Sequence, residues 1–219
     1  MAMFSMMMFA QKDVTTFLGI PIDGFKSEMK QKLIAKGFTP QKLGTDEFLE
    51  GEFNGTDVHV FIATNNNKVY RIMVCDVNTR NEADIKIRFN RLVAQFENNK
   101  RYTSFDNQSI SDDVDISYEM SINHKNFDAL FYQKPDMEKI DTLAIQERVK
   151  NELLTKYTEE QLQNPSEEIT QEATTLAMKK AMDLFMKKPV WFRICENYGQ
   201  YYISMYYDNE YNHANGEDL

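Results

Sequence analysis

The strongest constraint on what this chain can fold into is a pattern that occurs twice: an amphipathic helix, then a run of short alternating strands. In residues 25–37 the apolar Phe25, Met29 and Leu33 recur every four positions and Ile34 widens the stripe. Lys26, Lys30, Gln31 and Lys36 take the wet side. Gly37 stands where a left-handed C-cap belongs, with Phe38 behind it to fold back on the last turn. Such a short helix is marginal alone, so the pattern predicts that it leans on a sheet.

The strands follow at once. Residues 48–53 and 58–62 flank Asn54-Gly55, the dipeptide best suited to the positive φ angles of a tight hairpin. Asn65-Asn66-Asn67 marks the next turn. Residues 69–74 then alternate, with Tyr70, Ile72 and Val74 expected on one face and Arg71 on the other. Residues 38–42 add a strand that Pro40 confines to an edge. The second helix is predicted over 81–98, with a capping box from Thr79 to Glu82 and a stripe of Ile85, Phe89, Leu92, Val93 and Phe96. Val114, Ile116, Tyr118, Met120 and Ile122 alternate with polar residues and read as a half-buried strand. Further strands are expected at 127–132, 190–195 and 201–207.

Between them, residues 136–188 are rich in Glu, Lys, Gln, Leu and Ala, lack glycine and read as helical, divided at Asn164-Pro165 and ended by Pro189. The expectation is therefore an α+β fold: an antiparallel sheet built from two tandem helix-plus-meander units, 11–79 and 80–207. The helical segment is read as an insertion in the second unit, not as a separate domain. A polar tail spans 208–219.

Composition narrows the function classes. With 219 residues, 42% hydrophobic, the chain can bury a sizeable core without metal or disulfides. A formal net charge of −9 opposes nucleic-acid binding, which needs clustered Lys and Arg. None of the eight glycines builds a phosphate-cradling loop. No apolar run is long enough to span a membrane. The first ten residues carry no charge and end in Met8-Phe9-Ala10, which reads as a signal-peptide remnant with Ala10 last. A positive n-region is missing, and the alternative is an apolar terminus on a cytoplasmic protein. Cys75 and Cys195 both fall in strand-like runs; buried free thiols are the plainer reading, with a single disulfide left open.

Catalytic and metal signatures are absent from the sequence. His59, His124 and His213 are isolated, and no zinc spacing or nucleophile elbow occurs. The oxygen-rich tail fails the EF-hand order, with His213 where glycine is needed and Leu219 where the bidentate Glu belongs. No cofactor, metal or catalytic residue is assigned. Strand parity points instead to one sheet face. If Ala129, Phe131, Val190, Phe192, Ile194, Tyr201, Ile203 and Met205 face the core, then Tyr132, Trp191, Arg193, Tyr202 and Tyr206 face away. Tyr, Trp and Arg on one open face suit partner binding, because they bury much area at small entropic cost. The plain alternative is that the inserted helices cover this face through Leu176, Met182, Leu184 or Phe185.

Residues 17–24 (Phe-Leu-Gly-Ile-Pro-Ile-Asp-Gly), Lys36-Gly37-Phe38, Leu49-Glu50-Gly51-Glu52-Phe53 and Lys68-Val69-Tyr70-Arg71 resemble a group of uncharacterised exported bacterial proteins. The ending Tyr207-Asp208-Asn209-Glu210-Tyr211-Asn212 with residues 215–219 resembles the same group. More distantly, tandem helix-then-meander units resemble the beta-lactamase-inhibitor-protein fold and the SmpA/OmlA outer-membrane lipoprotein domain, whose lipobox cysteine this chain lacks. That resemblance implies a protein that binds other proteins through a sheet face. The functional expectation is thus a periplasmic or secreted, non-enzymatic binding module whose partner is another exported protein. The rival classes are a hydrolase-like enzyme with a carboxylate cleft and a cytoplasmic structural protein. Oligomeric state is left unassigned.

Overall fold

The computed structural model describes residues 13–138 and 140–214; the signal-peptide reading of residues 1–10 and the last five residues of the tail lie outside them. The described residues form an α+β fold with six helices, an eight-stranded antiparallel sheet and a small two-stranded sheet. They divide into two compact units, one comprising Val14–Lys134 with residues 187–214, the other comprising Asp13 with Pro135–Met186.

In the sheet unit, β1 (Thr16–Phe17) and β2 (Ile20–Pro21) pair as a small hairpin, followed by α1 (Lys26–Ile34). Met29 and Leu33 bury the inner face of α1. Its end is a Schellman motif: Phe38 N–H reaches Leu33 O, Gly37 N–H reaches Ile34 O, and Gly37 sits at φ 101°. Next come β3 (Thr39–Leu43), β4 (Asp46–Phe53), β5 (Thr56–Asn65) and β6 (Lys68–Asp76), then α2 (Glu82–Asn98). The short β7 (Tyr102–Thr103), α3 (Ile116–Ser121), β8 (Asp128–Gln133), β9 (Pro189–Asn197) and β10 (Gln200–Asp208) complete the unit. The sheet order is β3-β4-β5-β6-β10-β9-β8-β7, so Pro40 does lie on an edge strand, where its missing N–H costs no ladder bond.

Four hairpins have two-residue loops in which both residues take positive φ: Leu18-Gly19, Asn54-Gly55, Asn66-Asn67 and Tyr198-Gly199. That geometry matches the right-handed twist of the strands it joins. One face of the sheet is the core. Val58, Val60, Ile72, Val74, Phe192, Ile194 and Ile203 point into it, against Met29 and Leu33 of α1 and Ile85, Phe89, Leu92 and Val93 of α2. The ring of Phe89 meets Phe192 edge-on at 5.0 Å. Phe96 stacks on Phe131 at 4.9 Å.

Three local expectations are corrected. Residues 116–121 are helical, not a strand. Asp115 caps α3 by accepting Tyr118 N–H, and Glu82 of α2 accepts both Ile116 N–H and the Ser117 hydroxyl. The backbone is therefore satisfied by a cap and by a distant carboxylate, and the alternating pattern has no partner strand to pair with. Secondly, α2 is capped by Asn81, whose side chain accepts Asp84 N–H, and not by Thr79. Thirdly, a register shift between Ala63 and Thr64 leaves Tyr70 as the extra residue of a β-bulge. Val69 takes the core position expected of Tyr70, and Tyr70 packs edge-on against His213 at 5.0 Å.

The second unit is helical: α4 (Thr142–Leu153), α5 (Glu159–Gln163) and α6 (Glu167–Met186). Thr158 and Gln161 form a reciprocal capping box on α5, and the Ser166 hydroxyl accepts Ile169 N–H at the start of α6. Val149 and Leu153 of α4 and Ile169 of α6 are its buried apolar residues. Glu172 accepts from both Lys156 and Tyr157.

Candidate functional site

Helices α1 and α2 pack on one face of the sheet unit, and among the described residues of that unit no helix packs on the other. Strand pairing aligns the residues of this second face into rows that cross the strands. In the first row Phe61 pairs with Met73, Met73 with Tyr206, Tyr206 with Trp191 and Trp191 with Leu130. Phe48 extends it on β4, its ring 5.6 Å from Phe61. The adjacent row reads Glu50, His59, Cys75, Ser204, Arg193, Asp128 across the same six strands. An apolar and aromatic stripe therefore runs beside a polar one. At about 4.8 Å between strands the stripe is roughly 24 Å long.

Its centre is braced by stacking and hydrogen bonds. Trp191 and Tyr206 stack with ring centroids 3.9 Å apart and planes 14° from parallel. Arg71 lies over both rings, 5.1 Å from Tyr206 and 5.5 Å from Trp191, and Arg193 lies 5.1 Å from Trp191. Each cation is held in place by a carboxylate. Arg71 donates two hydrogen bonds to Asp208, at 2.6 and 2.8 Å, and Arg193 donates two to Asp128, at 2.8 and 3.2 Å. The indole Nε1 of Trp191 also donates to Asp208, at 3.0 Å. Hydrogen bonding to these carboxylates holds both guanidiniums above their ordinary value. The aromatic faces are thus presented already ordered, which lowers the entropic cost of covering them.

Among the residues singled out by strand parity, Trp191, Arg193 and Tyr206 come together in this cluster. Tyr202 lies on the same face but one row further on, opposite Cys195; burial first, then the neighbouring Cys195, pushes its hydroxyl up to about 12. Tyr132 is buried, its ring 5.5 Å from Phe105, and stands outside the stack. The sequence reading missed Arg71 and Asp208 as members of the site, as well as the extension through Phe48, Phe61 and Met73. A signal existed for the last three, since they sit at outward parity on strands β4 to β6.

Both cysteines are free and half-buried. β10 lies between their strands, which separates the Cα atoms by about 9 Å or more, beyond disulfide reach. Burial raises the Cys75 thiol, which makes it a poor nucleophile, and its sulfur lies 3.2 Å from the Ser204 hydroxyl. Among the described residues there is no His, Cys, Asp or Glu group able to hold a metal ion, and no helix is long and apolar enough to cross a membrane. Comparison with family models, curated proteins and solved structures finds no match.

Proposed function

We infer that this chain is a non-enzymatic protein-binding module that docks a partner protein on the half-buried second face of its sheet. The observation that carries this reading is the ordered Trp191–Tyr206 stack, clamped between Arg71 and Arg193 at the centre of the apolar row. Ordered aromatic and arginine side chains ringed by polar groups are the composition of interface hot spots. The row's length matches one face of a helix of about 16 residues, which sets the scale of the partner element.

Two further readings belong with this proposal. The sheet order supports two tandem helix-plus-meander units: β3-β4-β5-β6 follows α1, β7-β8-β9-β10 follows α2, and the last strand of each adjoins the other's. A partner met outside the cytoplasm is the compartment implied by the apolar first ten residues, and N-terminal sequencing of the natively made protein tests it: a start at Gln11 supports export and an intact Met1 removes it.

The enzyme alternative has less to rest on. Three carboxylates with a shifted value, Asp113, Glu152 and Glu172, are pulled down by Ser111, Lys180 and Lys156 respectively. A general acid requires the opposite direction. The deciding experiment is affinity capture from the native host with the full chain as bait, comparing the parent with a Trp191→Ala/Tyr206→Ala variant. A captured protein lost by the variant at unchanged circular dichroism supports the reading. Equal capture by both removes the aromatic stack from the interface.

A further inference from the structure

On the opposite, helix-bearing side of the sheet unit, two cavities meet end to end between α2 and the β4–β5 hairpin. One, of about 440 Å³, is apolar, with Leu18, Phe53, Leu92, Phe96, Met205 and Tyr207 in its walls. The other, of about 470 Å³, is lined by Arg80, Arg88, Arg91 and Asp84. Asn54 and Gln95 line both, and the Asn54 amide donates to the Gln95 carbonyl at 2.7 Å across the junction. Each volume falls in the range of small-molecule sites.

The arginines converge because the fold makes them. Arg88 and Arg91 lie three residues apart on one face of α2. The side chain of Asp76, fully withdrawn from solvent, accepts two hydrogen bonds from Arg88 and one from Arg80. One carboxylate thus orders two guanidiniums and neutralises only one of them. Arg91 is exposed and has no ion-pair partner among the described residues, while Asp84 is engaged by Asn81. Against Asp84 and the buried Asp76 the three arginines leave one positive charge in excess in this end's own lining, while the adjoining recess places Glu52 and Asp57 beside Arg80. Glu52 stands on the rim of the apolar end and opposes an anion there.

We propose that this cleft binds a single-chain amphiphile with an anionic head: the head lies against Arg80, Arg88 and Arg91, and the hydrocarbon crosses over the exposed Asn54–Gln95 hydrogen bond to the wall formed by Phe96, Met205 and Tyr207. A carboxylate and a phosphate monoester share the required head chemistry. The site is separate from the aromatic face, so it stands or falls independently of partner docking.

The test is calorimetric titration of the full chain with decanoate, decyl phosphate and decanol. Either anionic probe should bind at least about tenfold more tightly than decanol, and the tighter of the two identifies the head group. Arg91→Glu should weaken the anionic probes about tenfold and leave decanol unchanged. Glu52→Gln should tighten the anionic probes. Gln95→Trp, which fills the exposed junction, should abolish binding of all three. Failure of both anionic probes to bind, equal affinity for decanol and decanoate, or indifference to Arg91→Glu and Gln95→Trp overturns the proposal.

Discussion

Arg71 and Asp208 meet across the seam between β6 and β10, and the carboxylate that takes two hydrogen bonds from the guanidinium also takes the indole N–H of Trp191. The two partners are unequally buried: the Asp208 side chain is 3% exposed and that of Arg71 is 25% exposed. Removing one is therefore not equivalent to removing the other. Arg71→Ala strands a buried charge with only Trp191 to compensate it and should destabilise the fold by about 3–5 kcal/mol. Asp208→Ala leaves a cation that can turn toward water and should cost only about 2 kcal/mol. Urea denaturation of the two variants measures the difference; equal losses would mean that the pair acts only through packing.

Trp191 and Tyr206 form a cross-strand pair whose stacking should be measurable on its own. A double-mutant cycle with Trp191→Ala and Tyr206→Ala should give a coupling of about 0.5–1.5 kcal/mol, with each single variant still folding cooperatively. A coupling near zero would show that the two rings are independent in solution.

Gly51 is tightly constrained although its backbone is ordinary. A Cβ at this position would meet Cδ1 of Phe38 at 2.7 Å, and Phe38 is itself in the core beside Phe17. Gly51→Ala should lower stability by about 1–3 kcal/mol, and the double variant Gly51→Ala/Phe38→Leu should recover part of the loss. Thermal melts of the three proteins suffice.

Tyr207 gives the fold an alkaline limit. Burial, then interaction with the Tyr102 hydroxyl, holds its phenol well above the usual value of 10. The unfolded chain ionises this group first, so its contribution is complete below about pH 10 and is lost as the pH rises toward the folded value. Tm should therefore fall between about pH 9.5 and 11, and Tyr207→Phe should flatten that fall. A parallel decline in both proteins would assign the limit to other groups.

Much of the sheet was legible because its signals are local. Asn54-Gly55 can take positive φ cheaply, so the β4–β5 turn, and with it the pairing of those strands, follows from the dipeptide. Alternation in 190–195 and 201–207 sorted Phe192 and Met205 inward and Trp191 and Tyr206 outward, as the structure has them. Gly37 and Phe38 ended α1 as their residue types require. The failures have a common cause. The pattern in 114–122 was overridden by Glu82, which is 34 residues away from the Ile116 N–H it accepts. The parity of Tyr70 was broken by a bulge that no residue type announces.

By itself the sequence determined the hydrophobic faces, the hairpin turns and the registers that those turns impose, because a turn and a two-residue period act over a few bonds. The tertiary structure alone decided that β6 lies beside β10. That pairing places Arg71 opposite Asp208, 137 residues away, and joins Met73 to Tyr206 in one continuous row. Long-range pairing depends on which buried faces share a core, and no local pattern carries that information.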